Sequence, residues 1–67
     1  MRQFSLKNAR AAAGFTQAQI AERLGVSRNT ISFWENGQRN ITKSHFIAFC
    51  AVTGFTEDEI FLPERSA

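Results

Sequence analysis

The side chains best suited to molecular recognition lie in the stretch GVSRNTISFWENG, residues 25–37. Arg28 can offer two N–H donors to O6 and N7 of guanine, and Asn29 can pair with N6 and N7 of adenine. Ser32 can bond to either kind of base edge, whereas the phenyl ring of Phe33 can favour only an apolar feature such as the thymine methyl group. These residue types predict a surface that reads DNA bases. The alternative for each is an ordinary surface side chain, and for Phe33 it is a ring folded over its neighbours.

Catalytic chemistry is not indicated by the remaining reactive side chains. His45 and Cys50 are the only histidine and cysteine, and they are placed about 140° apart around one predicted helix, which prevents a Cys–His nucleophile pair. We expect Cys50 in the core and His45 on the surface. The acidic residues 57–59 are favourable charge at a helix start, not a catalytic carboxylate pair. The sequence therefore predicts no enzyme, no metal site, no cofactor and no small-molecule substrate.

Composition indicates one small globular domain. A chain of 67 residues buries only about 60% of the surface of its unfolded form, but 43% hydrophobic and 12% aromatic residues are enough for a core. A single cysteine excludes an internal disulfide and suits a reducing compartment. The longest apolar run, residues 46–52, is too short to cross a membrane, and the N-terminus lacks a signal-peptide pattern. We expect a cytoplasmic protein of the bacterial cytosol or nucleoid, with no membrane partner.

The formal charge is divided unevenly along the chain. Residues 1–46 carry seven basic and two acidic groups, a net charge of +5, whereas residues 47–67 carry one basic and four acidic groups, a net charge of −3. One end of the molecule should attract polyanions and the other should repel them. The alternative is unremarkable surface charge, and the charge pattern alone does not separate the two interpretations.

The starts of the predicted helices share one pattern. A Ser or Thr cap has an apolar residue just before it and another four residues after it, an arrangement called a hydrophobic staple. This pattern occurs at Thr16, Ser27, Thr42 and Thr56. Together with the glycines that follow four of the helical segments, it predicts an all-α fold of five helices, near residues 5–13, 17–24, 28–36, 43–53 and 57–61.

The second and third helices are separated only by residues 25–27. A connection this short, with a glycine, makes two helices cross steeply and so predicts a helix-turn-helix. Ala21 is small where the axes should approach most closely, and Gly25 can turn without a side chain in the way. The faces predicted to meet are Ile20, Ala21 and Leu24 on one helix and Thr30, Ile31 and Trp34 on the other. A generic helical hairpin, the alternative, would not need this placement of small and apolar residues.

The stretch TQAQIAERLGVSRNTISFWENGQ, residues 16–38, resembles the helix-turn-helix of phage repressor and Cro-type DNA-binding proteins, the group also called XRE-like. The five-helix order extends this resemblance to residues 5–62. It implies a compact lambda-repressor-like domain whose third helix enters the major groove, in a sequence-specific transcriptional regulator of the Cro or repressor type. An antitoxin or a restriction-modification controller of the same fold is the alternative within that class. A protein-interaction module that has lost DNA binding is the alternative from another class.

The resemblance also implies contacts with the sugar-phosphate backbone, at the start of the second helix and in the loop after the third. Free N–H groups at a helix start favour anions, and the basic side chains of the loop add positive charge. The residues concerned are Gln17, Asn36, Gln38, Arg39, Asn40 and Lys43. In the same family an arginine of the first helix pairs with the glutamate of the W-E-N-G motif, which implies a structural ion pair between Arg10 and Glu35.

Two positions depart from the family pattern. Phe33 stands where relatives usually have a polar residue, and its two alternative roles are a base contact and a ring folded over neighbouring side chains. Thr53 stands where a leucine commonly closes the core, a difference that concerns only local packing.

The end of the chain suggests self-association. Its apolar residues crowd into more surface than one short helix can easily hide, which predicts a two-fold, self-complementary contact. The residues of this predicted dimer contact are Phe55, Ile60, Phe61 and Leu62. The sequence therefore predicts a homodimer, at least on DNA, and a pseudo-palindromic double-stranded operator.

Overall fold

The computed structural model describes residues 3–62, which contain four α-helices. They are α1 (Leu6–Ala12), α2 (Gln17–Leu24), α3 (Arg28–Glu35) and α4 (Lys43–Thr53). The first four predicted helices are confirmed, and each of their ends lies within one residue of its predicted position. The domain is small, with Cα extents of 28 × 26 × 18 Å.

Each helix begins at a hydroxyl side chain that accepts a backbone N–H of the first turn. Ser5, Thr16, Ser27 and Thr42 accept these bonds over 3.0 to 3.2 Å. Thr16 is part of a full capping box, because its own N–H donates to the Gln19 side chain at 2.9 Å. Caps of this kind contribute about 1 kcal/mol each, and they fix the residue at which each helix starts.

The predicted fifth helix near residues 57–61 is wrong. Only one turn of 3-10 helix forms, Glu57–Glu59, and Ile60 is extended with φ −112° and ψ 127°. Ile60 instead forms a parallel β-bridge with Phe4. In this bridge the Phe4 N–H donates to the Glu59 carbonyl, and the Phe61 N–H donates to the Phe4 carbonyl, each at 2.8 Å. A helix of so few residues repays little of its nucleation cost, whereas the bridge satisfies the backbone and buries Ile60.

The core lies where α2 and α3 cross and is closed by the other elements. Nine apolar side chains are buried in it, namely Leu6, Ala9, Ile20, Ala21, Ile31, Trp34, Phe46, Phe49 and Ile60. They include both helix faces that were predicted to meet, except that Leu24 and Thr30 are half-buried. The buried faces therefore leave the opposite side of α3 directed away from the core.

The glycine between α2 and α3 ends a helix, as the sequence predicts, but it is not needed to make room for the turn. Gly25 ends α2 with φ 72°, a left-handed conformation that costs other residues more than glycine. A methyl group at this position would meet no heavy atom from another part of the described chain within 4 Å. The backbone conformation, and not lack of space, therefore explains the glycine.

The unusual threonine near the end of α4 is accommodated by a hydrogen bond. The Thr53 hydroxyl donates to the Phe49 carbonyl at 2.8 Å, one turn earlier in the same helix. This bond satisfies the polar group that replaces the leucine of the family pattern. The helix itself still ends at Gly54, in a left-handed conformation with φ 84°.

Candidate nucleic-acid interface

The outer face of α3 presents the four predicted base-reading side chains. Arg28 and Asn29 are exposed in the first turn of the helix, and Ser32 and Phe33 are half-buried one turn later. The N-cap Ser27 accepts the Thr30 N–H at 3.2 Å and so fixes where this turn begins. Hydrogen-bonding side chains are thereby brought to one end of a rigid helix.

The loop after α3 folds back onto the end of that helix. Gly37 has φ 75°, a left-handed conformation that ends the helical path of the chain. The N–H groups of Gln38 and Arg39 both donate to the Phe33 carbonyl, at 2.9 and 3.3 Å. The Asn36 amide lies 3.4 Å from the Ser32 hydroxyl oxygen, to which it donates. Hydrogen bonds to α3 therefore hold the loop beside the outer face of that helix.

This fold-back places the guanidinium group of Arg39 over the ring of Phe33. The Arg39 Cζ atom lies 4.8 Å from the ring centroid, a cation–π contact. The sequence predicts base reading for Phe33 and phosphate binding for Arg39, but it gives no prediction that the two side chains are paired. The available signal was the glycine stop at Gly37, which ends the helical path of the chain.

The other loop residues that were predicted to bind phosphate lie on the protein surface. Gln38, Asn40 and Lys43 are all exposed. Lys43 is the first residue of α4, whose first backbone N–H groups have no acceptor within the helix. A cationic side chain and a helix start therefore lie together at this end of the loop.

Glu35 is locked inside a network that joins three helices. Arg10 Nε donates to one oxygen of its carboxylate at 2.6 Å, and Arg10 Nη2 donates to the other at 3.4 Å. The side chains of Arg10 and Glu35 are only 11% and 4% exposed. A further Arg10 nitrogen donates to the Phe15 carbonyl at 2.8 Å. The structure thus joins the two residues expected to form an ion pair and holds α1 against α3.

Gln17 belongs to the same network, which the sequence did not reveal. Its amide nitrogen donates to Glu35 Oε1 at 2.9 Å. An amide group keeps a second N–H and a carbonyl oxygen for other partners, so this bond orients Gln17 and leaves it able to contact a phosphate. Gln17 and Arg28 also line one open depression at the start of α2. The first residues of α2 and α3 therefore border the same depression.

Most of the predicted dimer residues pack against other residues of the same chain. Ile60 is buried, Leu62 packs against the core, and the ring of Phe55 lies edge-on to that of Phe4 with centroids 4.9 Å apart. Phe61 alone of the four has a largely exposed side chain, at 56%. Of the four residues, Phe61 therefore leaves the most apolar surface for the predicted dimer contact, and Ile60 leaves almost none.

Reactive side chains elsewhere take structural positions. His45 is half-buried, not on the open surface as expected, and its ring lies 5.2 Å from that of Trp34. Burial raises the pKa of the half-buried Cys50 thiol, and the nearby charge of Glu57 raises it further.

Within residues 3–62 there is no group of three or more His, Cys, Asp or Glu side chains that could hold a metal ion. In the same residues, no helix is both long enough and apolar enough to cross a membrane.

Comparison with known families agrees with this geometry. A family model described as helix-turn-helix matches residues 6–60. The match runs from the first residue of α1 to the residue that pairs with Phe4, and it covers most of the chain. No curated protein matches the sequence.

Proposed function

The chain belongs to the helix-turn-helix family of XRE-type DNA-binding regulators, and from this we propose that it is a sequence-specific transcriptional regulator of the phage Cro or repressor type. The observation that carries the proposal is the division of α3 into two faces. One face buries Ile31 and Trp34 in the core, while the other presents Arg28 and Asn29 in its exposed first turn. A helix held in this way can enter the major groove with its first residues at the base edges.

The residues on either side of α3 have the chemistry of phosphate contacts. In our proposal the start of α2 supplies Gln17, and the loop supplies Arg39 and Lys43, so that DNA is held on both sides of the reading helix. The neutral donors of the same loop, namely Asn36, Gln38 and Asn40, complete this set. Contacts of this kind fix the position of a protein on the duplex, and the side chains in the groove supply specificity.

A titration on DNA tests the proposal against a module that has lost DNA binding. Fluorescence anisotropy with a random-sequence duplex at low and high salt should show binding that weakens steeply as salt rises, because bound phosphates release counterions. A protein-interaction module would show no salt-dependent retention at any salt concentration. An antitoxin or restriction-modification controller would bind DNA by the same face, and it differs in the genes it controls.

The phosphate contacts can be counted by their effect on salt dependence. Arg39→Ala and Lys43→Ala should each weaken binding to every sequence, because each removes one contact that carries no sequence information. The slope of log K against log salt concentration should become shallower by about one unit for each variant. The measurement is the same anisotropy titration, repeated at four or five salt concentrations on both random and preferred duplexes.

Arg23→Ala provides the matched control for these variants. Arg23 is also an exposed arginine, and it also lies over a phenylalanine ring, with its Cζ atom 5.3 Å from the centroid of Phe15. It is on α2, outside the residues proposed to touch DNA. Its removal should leave the slope nearly unchanged. A slope change as large as that of Arg39→Ala would mean that net charge, and not a phosphate contact, causes the effect.

We further propose that two copies bind adjacent half-sites and touch through Phe61. Half-sites of such dimers are about 34 to 36 Å apart, and one copy has a longest Cα extent of 28 Å. Side chains add to this extent, so neighbouring copies on one side of the duplex come into contact range. An exposed phenylalanine is a suitable centre for a small self-complementary contact.

Phe61→Ser should reduce the cooperativity of binding to a two-half-site duplex and leave the affinity for an isolated half-site unchanged. Footprinting and gel shifts with duplexes of one and two half-sites measure both quantities. Protection of one unpaired half-site at full occupancy would contradict the dimer. If Phe61→Ser binds with wild-type cooperativity, the contact between the two copies does not involve Phe61 and lies on another surface.

A further inference from the structure

We infer that Phe33 is a positioning residue, whose ring holds the guanidinium group of Arg39 ready for a DNA phosphate, an inference that rests on the DNA-binding function proposed above. This assigns the unusual aromatic residue of α3 a role toward the sugar-phosphate backbone. It also makes one residue of the reading helix responsible for the placement of a cation in the loop.

The geometry ties the two residues together twice. The Arg39 Cζ atom is 4.8 Å from the centroid of the Phe33 ring. The Arg39 N–H donates to the carbonyl of the same Phe33 at 3.3 Å, and the Gln38 N–H donates to it at 2.9 Å. Both the backbone and the side chain of Arg39 therefore contact Phe33, a residue of a capped helix. Arg39 itself lies in a loop and is exposed.

A cation over a ring face keeps its hydrogen-bond donors available. The donors of a guanidinium group point outward in its own plane, in a fork that matches the oxygens of a phosphate. The ring attracts the positive charge through its electron-rich face. The contact with Phe33 can therefore hold Arg39 in place and still leave N–H groups for DNA.

Holding the arginine in advance should strengthen binding, because a free arginine loses side-chain freedom when a phosphate fixes it. An aromatic ring supplies this restraint, and an aliphatic side chain of similar size does not. The strength of exposed cation–π contacts corresponds to an effect of about two- to fivefold in affinity. Because the contact made is to phosphate, the effect should be the same on all sequences.

This role differs from the thymine contact considered for Phe33. A ring that reads the thymine methyl would affect binding only at sites that contain the methyl group. A ring that positions Arg39 would affect binding to random DNA as well. Replacement of thymine by deoxyuridine, which removes only the methyl group, therefore separates the two.

The test is a double-mutant cycle in which anisotropy gives Kd on random and preferred duplexes. Phe33→Leu should weaken binding to both duplexes about two- to fivefold. Phe33→Tyr retains an aromatic face and should therefore bind with wild-type affinity. In the Arg39→Ala background, Phe33→Leu should cause no further loss. Additive losses in the cycle, or no rescue by tyrosine, would overturn the inference. So would a loss confined to thymine-containing sites and abolished by deoxyuridine.

Nuclear magnetic resonance of the protein without DNA separates this inference from the function on which it rests. The side-chain protons of Arg39 should show ring-current shifts in the wild type and in Phe33→Tyr, and these should disappear in Phe33→Leu. Absence of the shifts in the wild type would overturn the pairing, whatever the DNA result. Ring-current shifts in a protein that binds no DNA would overturn the proposed function and with it this role. Salt-dependent binding without coupling in the cycle would overturn only the role of Phe33.

Discussion

Arg10→Met is expected to lower the free energy of unfolding by about 3 kcal/mol, because it leaves the Glu35 carboxylate buried without its cationic partner. That carboxylate is 4% exposed and would keep only the amide of Gln17 among its present side-chain donors. A domain of 67 residues has a total stability of about 3–10 kcal/mol. The variant should therefore lose a large part of its stability, measured as the shift of the urea midpoint by circular dichroism.

The double variant Arg10→Met, Glu35→Leu is the control for this prediction. Removing both charges removes the cost of an unpaired buried carboxylate, so the double variant should recover most of the lost stability. Gln17 loses its acceptor in this variant, but the half-buried side chain can turn to water. If Arg10→Met alone unfolds at the wild-type urea concentration, the ion pair does not stabilise the contact between α1 and α3.

Arg28→Ala is expected to weaken binding to the preferred site by about 1–3 kcal/mol and to relax the preference at one base pair. The residue is exposed in the first turn of α3, where a helix in the major groove meets base edges. Competition assays with all four bases at each position of the site would locate the relaxed base pair. Affinity for random DNA should fall much less than affinity for the preferred site.

Arg28→Lys distinguishes the effect of the paired guanidinium donors from the effect of the positive charge. Lysine keeps the positive charge but lacks the planar pair of donors that fits guanine. It should therefore retain affinity for random DNA and lose discrimination at the same base pair as alanine. Equal losses of Arg28→Ala on preferred and random DNA would contradict base reading. They would instead indicate a phosphate contact beside Gln17, with which Arg28 lines a depression at the start of α2.

The parts of the fold that depend on neighbouring residues were predictable from the sequence. Cap hydroxyls such as Thr16 and Ser27 act within one helical turn, and the apolar spacing around them identified the faces that α2 and α3 bury. The last segment was not predictable in this way. The bond between Thr56 and Glu59 does form a turn, but the partner that draws Ile60 out of a helix is Phe4, at the other end of the described segment.

The candidate site shows the same division. Residue types and helical spacing were enough to place Arg28 and Asn29 together on an exposed surface. Pairings across the fold were not visible, because they depend on how loops return and how helices cross. Arg39 reaches Phe33 only through the turn at Gly37, and Gln17 reaches Glu35 only because α2 crosses α3.

The bridge between Phe4 and Ile60 has a kinetic consequence. The described fold is mainly helical, and the contacts within each helix are local, a topology that folds quickly. The bridge joins residues near the two ends of the described segment, so it requires the closure of a much longer loop. We expect it to form after the rate-limiting step, when α2 and α3 are already in contact. Interactions that form so late slow unfolding and hardly affect the folding rate. We therefore expect the bridge to lengthen the lifetime of the folded domain without changing how fast the domain folds.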